Sequence, residues 1–171
     1  MLETLISETE LEAKVSEMAR LIKDRYRDEP ILLVCVLKGS LYFFSDLSRK
    51  LGLNVQIDFI QASSYGSGKS SSGVVQIRKD LDVNIEGLNV IIVEDIVDTG
   101  ITLNHLRELL STRRPKTLAV AALLSKTESR KIASPVEFIG FEIPNEFVVG
   151  YGLDYAESYR NLPYIAILRE G

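Results

Sequence analysis

An α/β fold, with a mostly parallel central sheet flanked by helices, is predicted by three features of this chain. Ile31–Leu37, Val90–Val93 and Thr117–Leu124 are continuous runs of apolar residues, the pattern of strands covered on both faces. Between these runs, apolar residues recur at helical spacing, so strands alternate with helices. The 171 residues are 46% hydrophobic, which fits one domain, 1–171, with a sizeable core and argues against disorder.

In chain order, Ser7-Glu8-Thr9-Glu10 reads as a capping box. Leu11, Val15, Met18, Ile22 and Tyr26 then form one helical stripe, ended near Pro30. After the strand Ile31–Leu37, Lys38-Gly39-Ser40 turns the chain into a second helix, about Leu41 to Leu51. Asn54 to Ala62 reads as the next strand and Val74 to Ile77 as the strand that returns. Between them, Ser63 to Gly73 holds six serines, three glycines, one lysine and one tyrosine. Such a tract cannot bury a core and is expected to be mobile. It reads either as a hairpin tip or as an active-site lid whose lone aromatic, Tyr65, has something to cover. The strand entering Glu94-Asp95 follows, then a helix from about Thr102 to Arg113 carrying Leu103, Leu106, Leu109 and Leu110, closed by Pro115. Thr117–Leu124 delivers Ser125-Lys126 at its carboxyl end. Val136 to Ile143, Phe147 to Val149 and Tyr164 to Leu168 are the later strands.

The net charge of −4 argues against a general affinity for nucleic acid, though not against a local phosphate pocket. The apolar runs are too short to span a bilayer. The N-terminal segment carries Glu3, Glu8, Glu10 and Glu12 and lacks the basic and apolar regions of a secretion signal. The single cysteine, Cys35, lies inside an apolar strand and reads as an inert core residue. His105, the one histidine, sits mid-helix among leucines and reads as structural or exposed. These features together fit a cytoplasmic protein.

The most informative run is Val90 to Thr102: an apolar strand, two adjacent acids, a third acid, then a small hydroxyl-rich turn before a helix. Ligands of open α/β sheets bind at the carboxyl ends of strands. Free backbone N–H groups of the turn and helix start make an anion site suited to phosphate. Glu94 and Asp95 beside it suit a divalent cation or ribose hydroxyls, so the residues alone suggest an enzyme that handles a phosphorylated sugar with Mg²⁺. Alternation along a strand would separate two neighbouring side chains, so both serve one ligand only where the strand ends.

The string Val93-Glu94-Asp95-Ile96-Val97-Asp98-Thr99-Gly100-Ile101-Thr102 resembles the phosphoribosyl-pyrophosphate motif of the type I phosphoribosyltransferases, and within them the hypoxanthine and hypoxanthine-guanine phosphoribosyltransferases. An acid at the position of Asp98 goes with 6-oxopurine substrates in that pattern; the adenine, uracil and orotate enzymes carry other residues there. Leu37-Lys38-Gly39, Ser64-Tyr65, Leu124-Ser125-Lys126, Phe141 to Pro144, Phe147 to Tyr155 and Arg160 to Pro163 also fall in register, so the resemblance covers roughly Ile31 to Leu168. It implies a type I phosphoribosyltransferase-like fold with a small hood built from terminal segments and a flexible lid loop.

The resemblance also implies roles. The loop from Asp98 through Thr99, Gly100 and Ile101 to Thr102 would bind the 5′-phosphate. Glu94 and Asp95 would hold the ribose hydroxyls and, directly or through water, Mg²⁺, with Asp154 as a further metal or base-side contact. Asp98 would accept the purine proton; read alone, it serves equally as a turn residue. Lys126 would donate to the 6-oxo group, Phe147 would stack on the purine, and the Val148 backbone would read its edge. Lys38, Gly39 and Arg160 would grip pyrophosphate, with Arg130 a lesser candidate and a non-proline cis peptide before Lys38. Ser64 and Tyr65 would belong to the lid. The implied reaction joins hypoxanthine, and guanine as well, to 5-phosphoribosyl 1-pyrophosphate, in a homodimer or homotetramer that binds neither nucleic acid nor membrane. Two rivals stand beside it: a xanthine-preferring enzyme, and a non-catalytic regulator of the same fold. A regulator would be expected to show a basic face or an added module.

Overall fold

The structure, a computed structural model, describes residues 1–52, 54–64 and 74–169. A six-stranded sheet forms its centre, in the order β4-β3-β2-β5-β6-β7. These strands are β2 (Ile31–Leu37), β3 (Val55–Ser64), β4 (Val75–Lys79), β5 (Asn89–Val97), β6 (Thr117–Ser125) and β7 (Phe138–Glu142). All neighbours are parallel except β3 and β4, which pair antiparallel. Helices α1 (Glu8–Tyr26) and α2 (Leu41–Lys50) cover one face, and α3 (Ile101–Ser111) covers the other.

Strand alternation divides the core. Leu33, Cys35, Ile91, Val93, Ala119 and Ala121 point towards α1 and α2. Val34, Ile92, Val120 and Ala122 point towards Leu103, Leu106 and Leu110 of α3. This two-sided burial is why the three runs read as unbroken apolar stretches. The capping box is present: Ser7 accepts from the Glu10 N–H, and the Glu10 carboxylate accepts from the Ser7 N–H.

A second, three-stranded antiparallel sheet combines both ends of the chain, in the order β1 (Leu2–Ile6), β9 (Ile165–Leu168), β8 (Val148–Val149). It is the hood that the resemblance implies. β1 carries no clear strand signal in the sequence, because most of its residues stay exposed.

The strand order reverses between β2 and β5: β3 and β4 lie outward on one side, β6 and β7 on the other. Such a switch point opens a crevice at the carboxyl ends of the two strands. The Leu37–Lys38 peptide there is cis. The tract joining β3 to β4 carries Tyr65 and lies outside the described residues, as does the lid expectation; of Ser64 the backbone pairs with Val75. Among the described residues no helix is long and apolar enough to cross a membrane.

Candidate active site

β5 runs further than its sequence suggests. The strand continues through Glu94 and Asp95 to Val97, held by β6 up to the pairing of Val97 with Ser125. Its other neighbour stops earlier, since β2 pairs only as far as Val93. The two acids therefore do not sit past the strand end, as expected, but where one neighbour has left. That gap lets side chains from both faces reach the crevice. Asp95 lies so close under the Lys38-Gly39 turn that a Cβ on Gly39 would stand 1.7 Å from Asp95 Oδ2.

Beyond β5, the chain forms a cradle. A cavity of about 250 Å³ is lined by Val36, Glu94, Asp98, Thr99, Gly100 and Thr102, among others. Gly100 has φ +83°, and a Cβ there would meet the Ile132 carbonyl oxygen at 2.8 Å, so the turn admits only glycine without distortion. Helix α3 starts at this turn with no side-chain cap and no acid in its first turn. Its N-terminal amides and the positive end of its dipole are left for an anion. Behind the turn, the N–H groups of Lys131 and Ile132 both donate to the Thr99 carbonyl, at 2.9 and 3.2 Å. The Arg130 guanidinium donates to Ser125 Oγ and to the Ser134 carbonyl, and its stem lies behind Gly100, so it braces the Thr99-Gly100 turn.

Lys126 is buried, with Nζ 3.7 Å from Asp98 Oδ2, while Asp98 itself is exposed at the cavity rim. The register explains the meeting. Val97 pairs with Ser125, and the next residue's N–H, that of Lys126, donates to the Val97 carbonyl at 2.9 Å. Close by, the Ile143 N–H donates to the Ser125 carbonyl, which brings the segment leading to Phe147 alongside. Phe147 is 51% exposed, free to offer a ring face, and meets Tyr155 edge-on at 5.8 Å. Val148 is buried in β8.

On the hood side, Arg160 donates to the Gly152 carbonyl at 2.8 Å and pairs with Asp154 and Glu157 at 3.2 Å each. Lys38 pairs with Glu157 at 3.1 Å. Lys38 and Arg160 are thus tied through one carboxylate, Glu157, which nothing in the sequence singles out. Asp46 and Tyr151, whose side chains are hydrogen-bonded, are likewise new; the one signal in the sequence is Tyr151 lying between two glycines.

Electrostatically, the acid pair stands out. Burial raises Glu94 well above the usual carboxylate range, and the neighbouring Asp95 charge adds to it. Burial also pushes Asp95 up to about 6, against hydrogen bonds from Ile96 and its own N–H and against the Arg160 charge, all of which lower it. Among the described residues neither acid has a cationic side chain within ion-pairing distance. Two adjacent carboxylates, Glu94 buried and Asp95 half-buried, with no ion-pair partner are the donor set a hard divalent cation takes. Among the described residues no group of three potential ligands could hold a metal by itself, and Asp154 is already engaged by Arg160 and by the Glu157 N–H. The protein's share of such a site is two carboxylates; a phosphorylated ligand would complete it.

The chain also resembles known proteins. Residues 5–156 match the phosphoribosyl transferase domain model. The hypoxanthine phosphoribosyltransferase of Escherichia coli K12 is 52% identical over 165 residues, covering 95% of this chain and 93% of that one. The hypoxanthine-guanine phosphoribosyltransferase of Bacillus subtilis is 47% identical over 165 residues, covering 96% and 92%. The crystal structure of a Bacillus anthracis hypoxanthine-guanine phosphoribosyltransferase superposes with a TM-score of 0.94 at 50% identity, covering 98% of each chain.

Proposed function

The chain belongs to the phosphoribosyl transferase family, and from that premise we propose how its site makes a purine nucleotide. The reaction is purine salvage: the phosphoribosyl group of 5-phosphoribosyl 1-pyrophosphate passes to hypoxanthine, giving IMP and pyrophosphate. Guanine is the second substrate, giving GMP. The observation that carries the base preference is the Lys126–Asp98 pair, 3.7 Å apart at the rim of the phosphate cradle.

The 5′-phosphate sits in the turn from Asp98 to Thr102, held by backbone amides and the hydroxyls of Thr99 and Thr102. Glu94 and Asp95 take the ribose hydroxyls and would hold Mg²⁺, with Asp154 on the base and metal side. When bound, Mg²⁺ supplies positive charge against the departing pyrophosphate. Lys38, the Gly39 amide and Arg160 bind that pyrophosphate. The purine stacks on Phe147, and the Val148 backbone reads its edge. Lys126 donates a hydrogen bond to the 6-oxo group, which an amino substituent would refuse. As N9 bonds to the ribose carbon and the pyrophosphate oxygen leaves, Asp98 accepts the proton released at N7. The oxocarbenium-like centre needs water kept out, and the crevice between hood and sheet supplies two walls.

The whole chain, 1–171, works as one phosphoribosyltransferase domain in the cytoplasm, a setting that suits its single, buried and unpaired cysteine. It assembles as a homodimer or homotetramer; Leu41 and Tyr42 at the start of α2 and Ile57 on β3 are exposed large apolar side chains of the kind such assembly covers. The relatives' names do not favour a xanthine-preferring enzyme or a regulator. The decisive assay is nucleotide formation with hypoxanthine, guanine and xanthine, each with and without a chelator. Hypoxanthine and guanine should react only with Mg²⁺ present. Turnover that survives exhaustive chelation rejects the metal assignment, and xanthine outpacing hypoxanthine rejects the base assignment.

A further inference from the structure

At the carboxyl end of β2, three pieces of chain are stacked with no room for a side chain between them. A Cβ on Gly39 would stand 1.7 Å from Asp95 Oδ2, and a Cβ on Gly152 would stand 2.0 Å from the Gly39 carbonyl oxygen. From the sheet outward the order is Asp95, the Lys38-Gly39 turn, then the Gly150–Gly152 turn. Arg160 closes the stack by donating to the Gly152 carbonyl and pairing with Asp154. Any change in the spacing of the two turns therefore moves Arg160 and Asp154 relative to Asp95.

The outer turn is closed by Gly150 and Leu153, which exchange N–H···O bonds at 2.9 and 3.1 Å, but these bonds do not set its distance from Gly39. Gly150, Tyr151 and Gly152 have φ of +100°, +49° and +104°. The left-handed region is easy for glycine but sparsely populated by a residue with a ring. Backbone bonds help, since Tyr151 donates to the Leu162 carbonyl and Gly152 to the Arg160 carbonyl. Those bonds tie the turn to its own hood. The Tyr151 side chain ties it to the other layer: its hydroxyl donates to Asp46 on α2, and its ring stacks on Tyr42 at 6.4 Å and 28°. Helix α2 in turn begins directly after Lys38-Gly39-Ser40, so Asp46 is fixed to the inner turn. The Lys38–Glu157 ion pair also spans the layers, but its side chains are 56% and 66% exposed, where such a pair contributes little.

We propose that Asp46 and Tyr151 are a positioning pair that sets the spacing of the Gly39 and Gly152 turns, and with it the alignment of Arg160 and Asp154 over Asp95 for the sugar donor. Neither residue touches substrate. The inference rests on the functional reading above, which gives this stack to the donor's pyrophosphate and ribose.

The test uses Tyr151→Phe, which keeps the ring and removes the hydroxyl, with Asp46→Asn as a second, independent variant. Steady-state constants for donor and base, pyrophosphate binding in the presence of Mg²⁺, and Tm are measured for each. Loss of a hydrogen bond to a carboxylate should raise the donor KM and the pyrophosphate Kd roughly tenfold. The hypoxanthine KM should stay within about twofold, because the base lies against Phe147 on the β8 side. The double variant should be no worse than either single one, as expected of two residues acting as a unit. A lower Tm with unchanged constants, or donor and base constants that rise together, overturns the proposal. If Tyr151→Phe does not fold, the same split in Asp46→Asn decides. The unaltered protein is assayed alongside. Its failure to form nucleotide would reject the functional reading itself, a result distinct from active variants that show no split.

Discussion

Replacing Asp95 with asparagine should stabilise the ligand-free protein at neutral pH while destroying its function. The Asp95 carboxyl is raised from its ordinary 3.8 to about 6, chiefly by burial, with the Asp154 charge adding to the effect. The folded state therefore holds the proton more tightly than the unfolded chain does. The penalty is absent below about pH 4, grows as pH rises towards 6, and is fully present above it. At about 1.36 kcal/mol per pKa unit, this gap amounts to about 3 kcal/mol. Asparagine removes the charge and keeps an acceptor for the Ile96 N–H, which lies 2.6 Å from Asp95 Oδ1. For a domain of this size, about 2–4 °C per kcal/mol gives a Tm gain of roughly 6–12 °C. Thermal melts followed by circular dichroism at low ionic strength, with chelator and no substrate, would measure it at pH 4 and pH 8. The two proteins should melt together at pH 4, and the variant should melt later at pH 8. The same gain at both pH values, or an earlier melt at pH 8, refutes the argument that a desolvated charge without an ion-pair partner sits here. On the functional side, sugar donor with Mg²⁺ should raise the Tm of the unaltered protein far more than that of the variant.

Three further substitutions probe the rest of the site. Asp98→Asn should lower kcat by roughly 10²–10⁴ while the donor KM stays nearly constant, because backbone amides hold the phosphate; a near-normal kcat in single-turnover measurements would reduce Asp98 to a turn residue. Lys126→Gln should weaken discrimination against adenine in competition assays and leave donor binding alone; unchanged discrimination with a lower Tm would make Lys126 a residue of the fold only. Gly39→Ala puts a methyl group where Asp95 Oδ2 lies, so the carboxylate or the turn must shift by an ångström or more. That displacement should cost roughly 10² in kcat/KM for the donor, and an unimpaired variant would show that the turn and Asp95 are not in register for catalysis.

What the sequence makes legible follows from which contacts are local. β2 appears at the ends its apolar run predicts, because both its faces are buried and every residue must be apolar. The Ser7 cap and the α1 stripe are equally local, and so is the phosphate turn, whose amides, glycine and helix start lie within a few consecutive residues. β1 is different. Its residues are mostly exposed, and it is a strand because Leu2 to Ile6 pair with Leu168 to Ile165 at the far end of the chain. No window of sequence around Leu2 contains that partner. The end of β5 illustrates the same limit: acids usually mark a strand's exit, yet here β6 carries the strand through them while β2 does not.

The two halves of the candidate site differ in the same way. The base half follows from one register: once β5 and β6 are neighbours, Val97 opposite Ser125 brings Lys126 beside Asp98. A reader who places the two strands side by side can therefore anticipate that pair. The donor half has no such rule. It depends on Gly39 and Gly152 approaching within the width of a methyl group, across more than a hundred residues of chain, and on a left-handed turn whose tyrosine is tied to a carboxylate on α2. Glycine carries no catalytic chemistry, and a half-buried tyrosine hydrogen-bonded to a carboxylate is not aimed at a ligand, so nothing in their type points to the sugar donor. Their effect is geometric, on where Arg160, Asp154 and Asp95 stand. For that reason Gly39→Ala and Tyr151→Phe, which add or remove a single heavy atom and alter no charge, should both be felt in the donor constants before they are felt in those of the base.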